Sequence, residues 1–110
     1  MPYVPQRGDV VWLNFDPQAG HEQAGRRLAL VLSPQQYNRV TGLMLCCPLT
    51  TAIKGYPFEV ITRAGGKQGV VLADHIKNLD WRARRAEKKA VVEPTVLAEV
   101  LAKLETLLSS

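Results

Sequence analysis

Cysteine is scarce in this 110-residue chain: there are two, Cys46 and Cys47, side by side. Neighbours on a strand point to opposite faces, so the pair does not staple distant segments, and both read as reduced core residues. Long apolar runs are missing as well. Nothing approaches the roughly 18 to 20 consecutive apolar residues of a membrane span. The opening Met1-Pro2-Tyr3-Val4-Pro5 lacks a basic region followed by an apolar one, so the expected setting is cytoplasmic with no membrane contact. Aromatic residues make up 6%, too few for the exposed aromatic groove of a module that reads proline-rich peptides. There is no Gly-rich phosphate loop followed by lysine and no Cys or His spacing for zinc. The two histidines, His21 and His75, lie in separate segments and the acids are scattered. Metal-free chemistry without a cofactor is the expectation.

What is present suits one globular domain over residues 1–110, with 46% hydrophobic and 22% charged residues. Fourteen Lys and Arg against ten Asp and Glu give a net charge of +4, which favours a polyanionic partner.

The apolar segments are short and turn-bounded. Val10 to Phe15, closed by Asp16-Pro17, is rich in β-branched and aromatic residues and reads as a strand. Leu28 to Ser33, stopped by Pro34, reads as a buried central strand. Gln35 to Arg39 is a short helical connector and Thr41-Gly42 a turn. Leu43 to Leu49 is a third strand, ended by Pro48. Phe58 to Thr62 and Gly69 to Ala73, joined through Gly65-Gly66, complete a meander. Closing such a meander removes exposed strand edges, so the expected fold is mainly β, a small SH3-like barrel. One convincing helix follows, Pro94 to Leu108, with Glu93 as a candidate cap. Val96, Leu97, Val100, Leu101, Leu104, Leu107 and Leu108 form its apolar stripe, which is assigned to packing on the barrel.

Two segments stand out for their chemistry. Gly20 to Leu28 places His21, Glu22, Gln23, Arg26 and Arg27 between two strands, and loops on a rigid scaffold commonly carry function. Asp74 to Lys89 clusters Lys77, Arg82, Arg84, Arg85, Lys88 and Lys89 around Trp81, a pattern that can track a phosphate backbone and stack a base. Metal-free RNA cleavage needs help in deprotonating the 2′-hydroxyl, a cation for the pentavalent phosphorus, and a proton for the leaving 5′ oxygen. Arg27 and Arg26 can supply the cation but are poor acids or bases. His21, Glu22 or Asp74 would have to move protons, and Thr50 or Thr51 could donate a hydroxyl hydrogen bond to a phosphoryl oxygen.

The phrases Gly8-Asp9-Val10-Val11-Trp12, Phe15-Asp16-Pro17, His21-Glu22-Gln23-Ala24-Gly25 followed by Arg27, and Val31-Leu32-Ser33-Pro34 occur in that order. They are followed by Thr50-Thr51 ahead of Lys54-Gly55-Tyr56-Pro57-Phe58-Glu59-Val60, by Gly69-Val70-Val71-Leu72-Ala73-Asp74, and by Trp81-Arg82-Ala83-Arg84. Taken together they make the chain resemble the MazF/PemK family of toxin endoribonucleases over nearly its whole length. The resemblance implies a homodimer of SH3-like barrels, each with a C-terminal helix, that cuts single-stranded RNA without a metal. It also implies 2′,3′-cyclic phosphate and 5′-hydroxyl ends, and inhibition by a cognate MazE-like antitoxin whose acidic C-terminal tail fills the RNA groove. By the same resemblance Arg27 and Thr50 match the family's catalytic arginine and threonine. Glu22 matches the loop glutamate, and His21 and Asp74 match a histidine and an aspartate that some members use. The expected RNA contacts are Arg26, Thr51, Lys54, Lys77, Trp81, Arg82 and Arg84.

Two positions depart from the family pattern. Leu28 stands where proline usually follows the key arginine. Leu72 stands where some members carry a second arginine, so an arginine–aspartate acid–base pair does not transfer. The competing expectation is a toxin of CcdB type that binds DNA gyrase without cutting. It would call for an aromatic or apolar helix end, whereas this chain ends Leu107-Leu108-Ser109-Ser110 with no aromatic.

Overall fold

In a computed structural model the described residues are 2–15 and 25–109. They form β1 (Asp9–Asn14), β2 (Arg26–Val31), α1 (Gln35–Thr41), β3 (Leu43–Thr50), β4 (Glu59–Thr62), β5 (Gly69–Leu72), β6 (Lys77–Asp80), β7 (Glu87–Val91) and α2 (Pro94–Ser109). The strands make one seven-stranded antiparallel sheet in the order β4-β5-β3-β2-β1-β7, with β6 pairing the first half of β3. The sheet curls into a half-barrel, as the meander of short strands implies. No helix among the described residues is long and apolar enough to cross a membrane.

Both faces of the sheet are apolar. On one side Val10, Leu30, Cys47, Val60 and Val71 pack with Val96, Val100 and Leu104 of α2. On the other, Val11, Leu13, Ala29, Val31, Met44 and Cys46 pack with Trp81. The adjacent cysteines therefore divide between the two clusters, as strand alternation requires. Burial pushes both thiols from 9.0 up to about 12. A thiol held neutral in the fold stabilises it fully below the unfolded value, and that contribution is lost as pH climbs from there through about 12. Both cysteines should therefore resist iodoacetamide at pH 8 in the native protein and react fully in urea. Native labelling at the unfolded rate would contradict their placement.

Three expectations are corrected. Pro48 does not end β3; the strand runs on to Thr50. On the edge of β3 away from β2, β6 pairs as far as Cys46 and β5 begins at Leu49, so the missing N–H of Pro48 falls in a gap and breaks no ladder bond. The charged stretch after Asp74 contains two strands, β6 and β7, whose side chains are mostly exposed and so lack the alternation that marks a half-buried strand. The α2 stripe is only partly buried. Val96, Val100 and Leu104 face the sheet, whereas Leu101, Leu107 and Leu108 are exposed, the last at 78%. Glu93 lends its carboxylate to the Thr62 hydroxyl, while its backbone carbonyl accepts the N–H groups of Val96 and Leu97.

Asn38 in α1 is the polar centre of one end of the fold. Fully buried, it accepts the Ser33 hydroxyl at 2.6 Å on Oδ1 and donates from Nδ2 to the carbonyls of Pro5 and Ser33. Its backbone oxygen takes the Trp81 indole N–H at 2.8 Å. Asn38→Ala leaves the Ser33 hydroxyl and two carbonyls without these partners. It should lower unfolding free energy by about 3 kcal/mol in urea titrations, and a loss under about 1 kcal/mol would mean the network is dispensable.

Candidate active site

The sheet brings distant segments together at one end. β1 and β2 pair Trp12 with Leu28, Leu13 with Arg27 and Asn14 with Arg26. β2 and β3 pair Ala29 with Pro48, and continuing that antiparallel register by two positions sets Arg27 abreast of Thr50. β5 then joins the far edge of β3, with Val70 opposite Thr50. The cleft that results has a volume of about 240 Å³. Half-buried Leu28 and Leu49 lie low in it, and exposed Arg26, Arg27, Thr51 and Lys67 stand around them with Thr50. Among the described residues that line it three are cationic and none is Asp or Glu, so this lining is suited to an anion.

The two arginines, neighbours on β2, are used differently. Arg26 is held. Its guanidinium donates to Asn14 Oδ1 at 2.9 Å and to the Arg85 carbonyl at 2.9 Å, and lies 3.4 Å from Glu87 Oε1. The Arg85 backbone it grips has φ 56°, the one non-glycine with positive φ among the described residues. Arg27 makes no side-chain hydrogen bond or ion pair among the described residues, which leaves its planar fork open to a ligand in the cleft.

Thr50 is oriented by its own loop. The Ala52 N–H donates to Thr50 Oγ1 at 3.1 Å, and the hydroxyl hydrogen has no acceptor among the described residues. The group is therefore placed to donate into the cleft. Gly69 makes this approach of β5 and β3 possible: a Cβ there would lie 2.7 Å from the Thr50 carbonyl oxygen.

The other expected site residues are dispersed. His21 and Glu22 lie outside the described residues. Asp74 does not line the cleft; it follows the opposite end of β5 from Gly69. Its Oδ2 accepts the Tyr56 hydroxyl at 2.6 Å, and this bond raises the Tyr56 pKa. Asp74 Oδ1 is buried without a hydrogen-bond partner among the described residues, 3.8 Å from His75 Nε2. Lys54 is exposed on the loop after Thr51, and Lys77 is exposed on β6, away from the cleft. Arg84 donates to the Asn14 carbonyl at 3.3 Å.

Trp81 is a correction. It is 6% exposed, its N–H is bonded to Asn38, and the Arg82 guanidinium covers its ring at 4.7 Å, so the ring offers no stacking surface. Lys67, Trp12 and Thr62 line the cleft and were not singled out from the sequence. The signal for Lys67 was its place just before β5, but the pairing of β5 with the end of β3 is not written in local periodicity. Among the described residues no group of three or more His, Cys, Asp or Glu could hold a metal ion.

Residues 6–108 match the family of PemK-like, MazF-like toxins of type II toxin-antitoxin systems. The chain is 52% identical over 106 residues to the endoribonuclease toxin MazF of Escherichia coli strain K12, covering 96% of each protein. It superposes on the crystal structure of MazF from Deinococcus radiodurans with a TM-score of 0.89 and 63% identity, covering 99% of this chain and 100% of that one. A MazE-MazF structure from the same organism matches with a TM-score of 0.89 and 62% identity, covering 97% of each chain. A cleft ringed by Arg26, Arg27 and Lys67 beside an oriented Thr50 thus coincides with a match over almost the entire chain, and the chain belongs to the PemK-like, MazF-like toxin family of type II toxin-antitoxin systems.

Proposed function

We propose that this chain is the toxin of a type II toxin-antitoxin system and an endoribonuclease that cuts single-stranded RNA in the Arg27–Thr50 cleft. The observation that carries the reading is an Arg27 guanidinium and a Thr50 hydroxyl hydrogen on one cleft, neither with a partner among the described residues, and three cationic but no acidic side chains among the described lining residues. The scissile phosphate sits between these two groups. The ribose 2′-oxygen loses its proton and attacks phosphorus, the bond to the 5′ oxygen breaks, and that oxygen takes a proton. The ends are a 2′,3′-cyclic phosphate and a 5′-hydroxyl, and no metal takes part. Arg27 forks onto the non-bridging oxygens as negative charge builds there, and Thr50 adds a neutral donor. With Asp74 bonded to Tyr56 at the other end of β5, proton transfer in this reading falls to His21 or Glu22, in the sequence just before Arg27.

The working form is a homodimer. Leu101, Leu107 and Leu108 of α2 and Ile61 of edge strand β4 offer apolar surface for a second copy. The regulator is a MazE-like antitoxin whose acidic tail occupies the same cationic cleft. The test is incubation of the purified, antitoxin-free protein with a long single-stranded RNA in excess EDTA, followed by mapping of new 5′ ends. Cuts at a short preferred sequence with 5′-hydroxyl ends are expected. Cleavage that vanishes on chelation would reject the metal-free mechanism, and no cleavage by the folded protein would favour a toxin that acts by binding.

A further inference from the structure

The loop from Thr51 to Pro57 leaves the cleft at Thr50 and is exposed along its length, yet five successive backbone N–H groups in it, from Ala52 to Tyr56, are bonded. Ala52 N–H bonds to Thr50 Oγ1 and Ile53 N–H to the Thr51 carbonyl. The next three N–H groups, of Lys54, Gly55 and Tyr56, converge on a single carboxylate, that of Glu59, at 2.9 to 3.3 Å. Successive amides turned inward make an anion-binding nest, and here the anion is internal. Gly55 has φ +78° with open space around its Cβ position, so glycine is required there for the backbone torsion that forms the nest. The loop is pinned from outside at two more points: the Tyr56 hydroxyl on Asp74, and the Pro57 carbonyl under Lys103 Nζ at 2.7 Å. Lys54, at the first position of the nest, has no side-chain partner among the described residues.

We infer that Glu59 is a positioning residue for RNA: its carboxylate locks the 51–57 loop into a preformed arm that presents Lys54 to the strand running out of the Thr50 cleft. The inference rests on the RNA-cleaving reading above and adds a device to it. Holding an exposed loop in its bound shape removes the ordering cost from the binding step, so its effect falls on affinity and on the choice of cut site rather than on the chemical step. Asp74, through Tyr56, serves the same arm from the other side, which gives that aspartate a role without placing it at the phosphate.

Charge makes the inference falsifiable in sign. Removing an acidic residue near bound RNA would, by electrostatics alone, tighten binding or leave it unchanged. Loss of the clasp predicts the opposite. The experiment measures steady-state cleavage of a single-stranded RNA, cut-site distribution, and Kd for a non-cleavable 2′-O-methyl strand of the same sequence. It compares the wild type with Glu59→Ala and Glu59→Gln. Glu59→Ala should raise KM and Kd by about fivefold to tenfold, keep kcat within about twofold and broaden the set of cut sites. Glu59→Gln, which keeps one carbonyl acceptor but no charge, should fall between. Unchanged or lower KM and Kd with an unchanged cut pattern would overturn the inference, whatever the variants' melting temperatures, since a purely structural clasp would move only those. A wild type that neither binds nor cuts RNA would overturn the proposed function itself, and the inference with it.

Discussion

Replacing Arg27 with alanine should lower kcat for RNA cleavage by about a thousandfold and leave the fold intact. The guanidinium makes no hydrogen bond or ion pair among the described residues, so its removal deprives none of them of a polar partner. Substitutions at such exposed positions commonly change stability by within about 0.5 kcal/mol. Its value is realised only where charge accumulates on the phosphoryl oxygens. Deleting one preorganised donor to a developing oxyanion typically costs about two to three orders of magnitude in kcat. Arg27→Lys should recover part of the loss, because an ammonium keeps the charge but not the planar fork. Steady-state kinetics beside a thermal melt would check this. Activity within about tenfold of wild type would show that the open guanidinium does not serve the phosphate, and a collapsed melting temperature would show that it serves the fold. Arg26→Ala should behave differently, since Arg26 joins β2 to Asn14 and to the Arg85 carbonyl.

Gly69→Ala is the second large effect. A methyl group here would meet the Thr50 carbonyl oxygen at 2.7 Å and its carbon at 3.4 Å, and the obstacle is backbone on the neighbouring strand. Either β5 backs away from β3 or the end of β3 moves. Overpacking of this sort costs about 1 to 3 kcal/mol of stability. Moving the end of β3 carries the Thr50 hydroxyl with it, and displacement of a positioning group by about 1 Å can cost a hundredfold in rate. We therefore expect kcat to fall by about a hundredfold in protein that remains folded, with KM changed less. Full activity with a lowered melting temperature would show that β5 yields instead and that Thr50 keeps its place.

The sequence revealed most where a single local rule governs. β1 and β2 were legible because their apolar runs pass through the middle of the sheet, and α2 because Pro94 opens a stretch with apolar residues three and four apart. The split of Cys46 and Cys47 between the two faces followed from alternation alone. β6 and β7 were missed because their edge-facing lysines and acids, which protect a sheet margin from pairing, erase the alternation by which strands are recognised. Trp81 was misread for a related reason. Surrounded by basic residues in sequence, it turns inward to Asn38 in the fold, and a string of residues does not show which member of a charged run points in.

The site divides the same way. Arg27 and Thr50 were singled out because each sits in a recognisable phrase, and the fold sets both on the lining of one cleft. Lys67 and Gly69 were not found, since their importance arises from the pairing of β5 with the end of β3. The resemblance already distinguishes Arg27 from Arg26; what only the fold shows is how Arg26 is held, because its partners lie in β1 and in the turn between β6 and β7.

In the proposed reaction the RNA's own 2′-oxygen is the nucleophile at a phosphate held by Arg27 and Thr50. The most direct measurement uses one RNA carrying two copies of the mapped cut sequence, with a single 2′-deoxy nucleotide immediately 5′ of the scissile phosphate in one copy. With the 2′-oxygen as nucleophile, the modified copy should stay intact while the other is cut at the wild-type rate to a 2′,3′-cyclic phosphate. Cleavage of both copies at similar rates would contradict it.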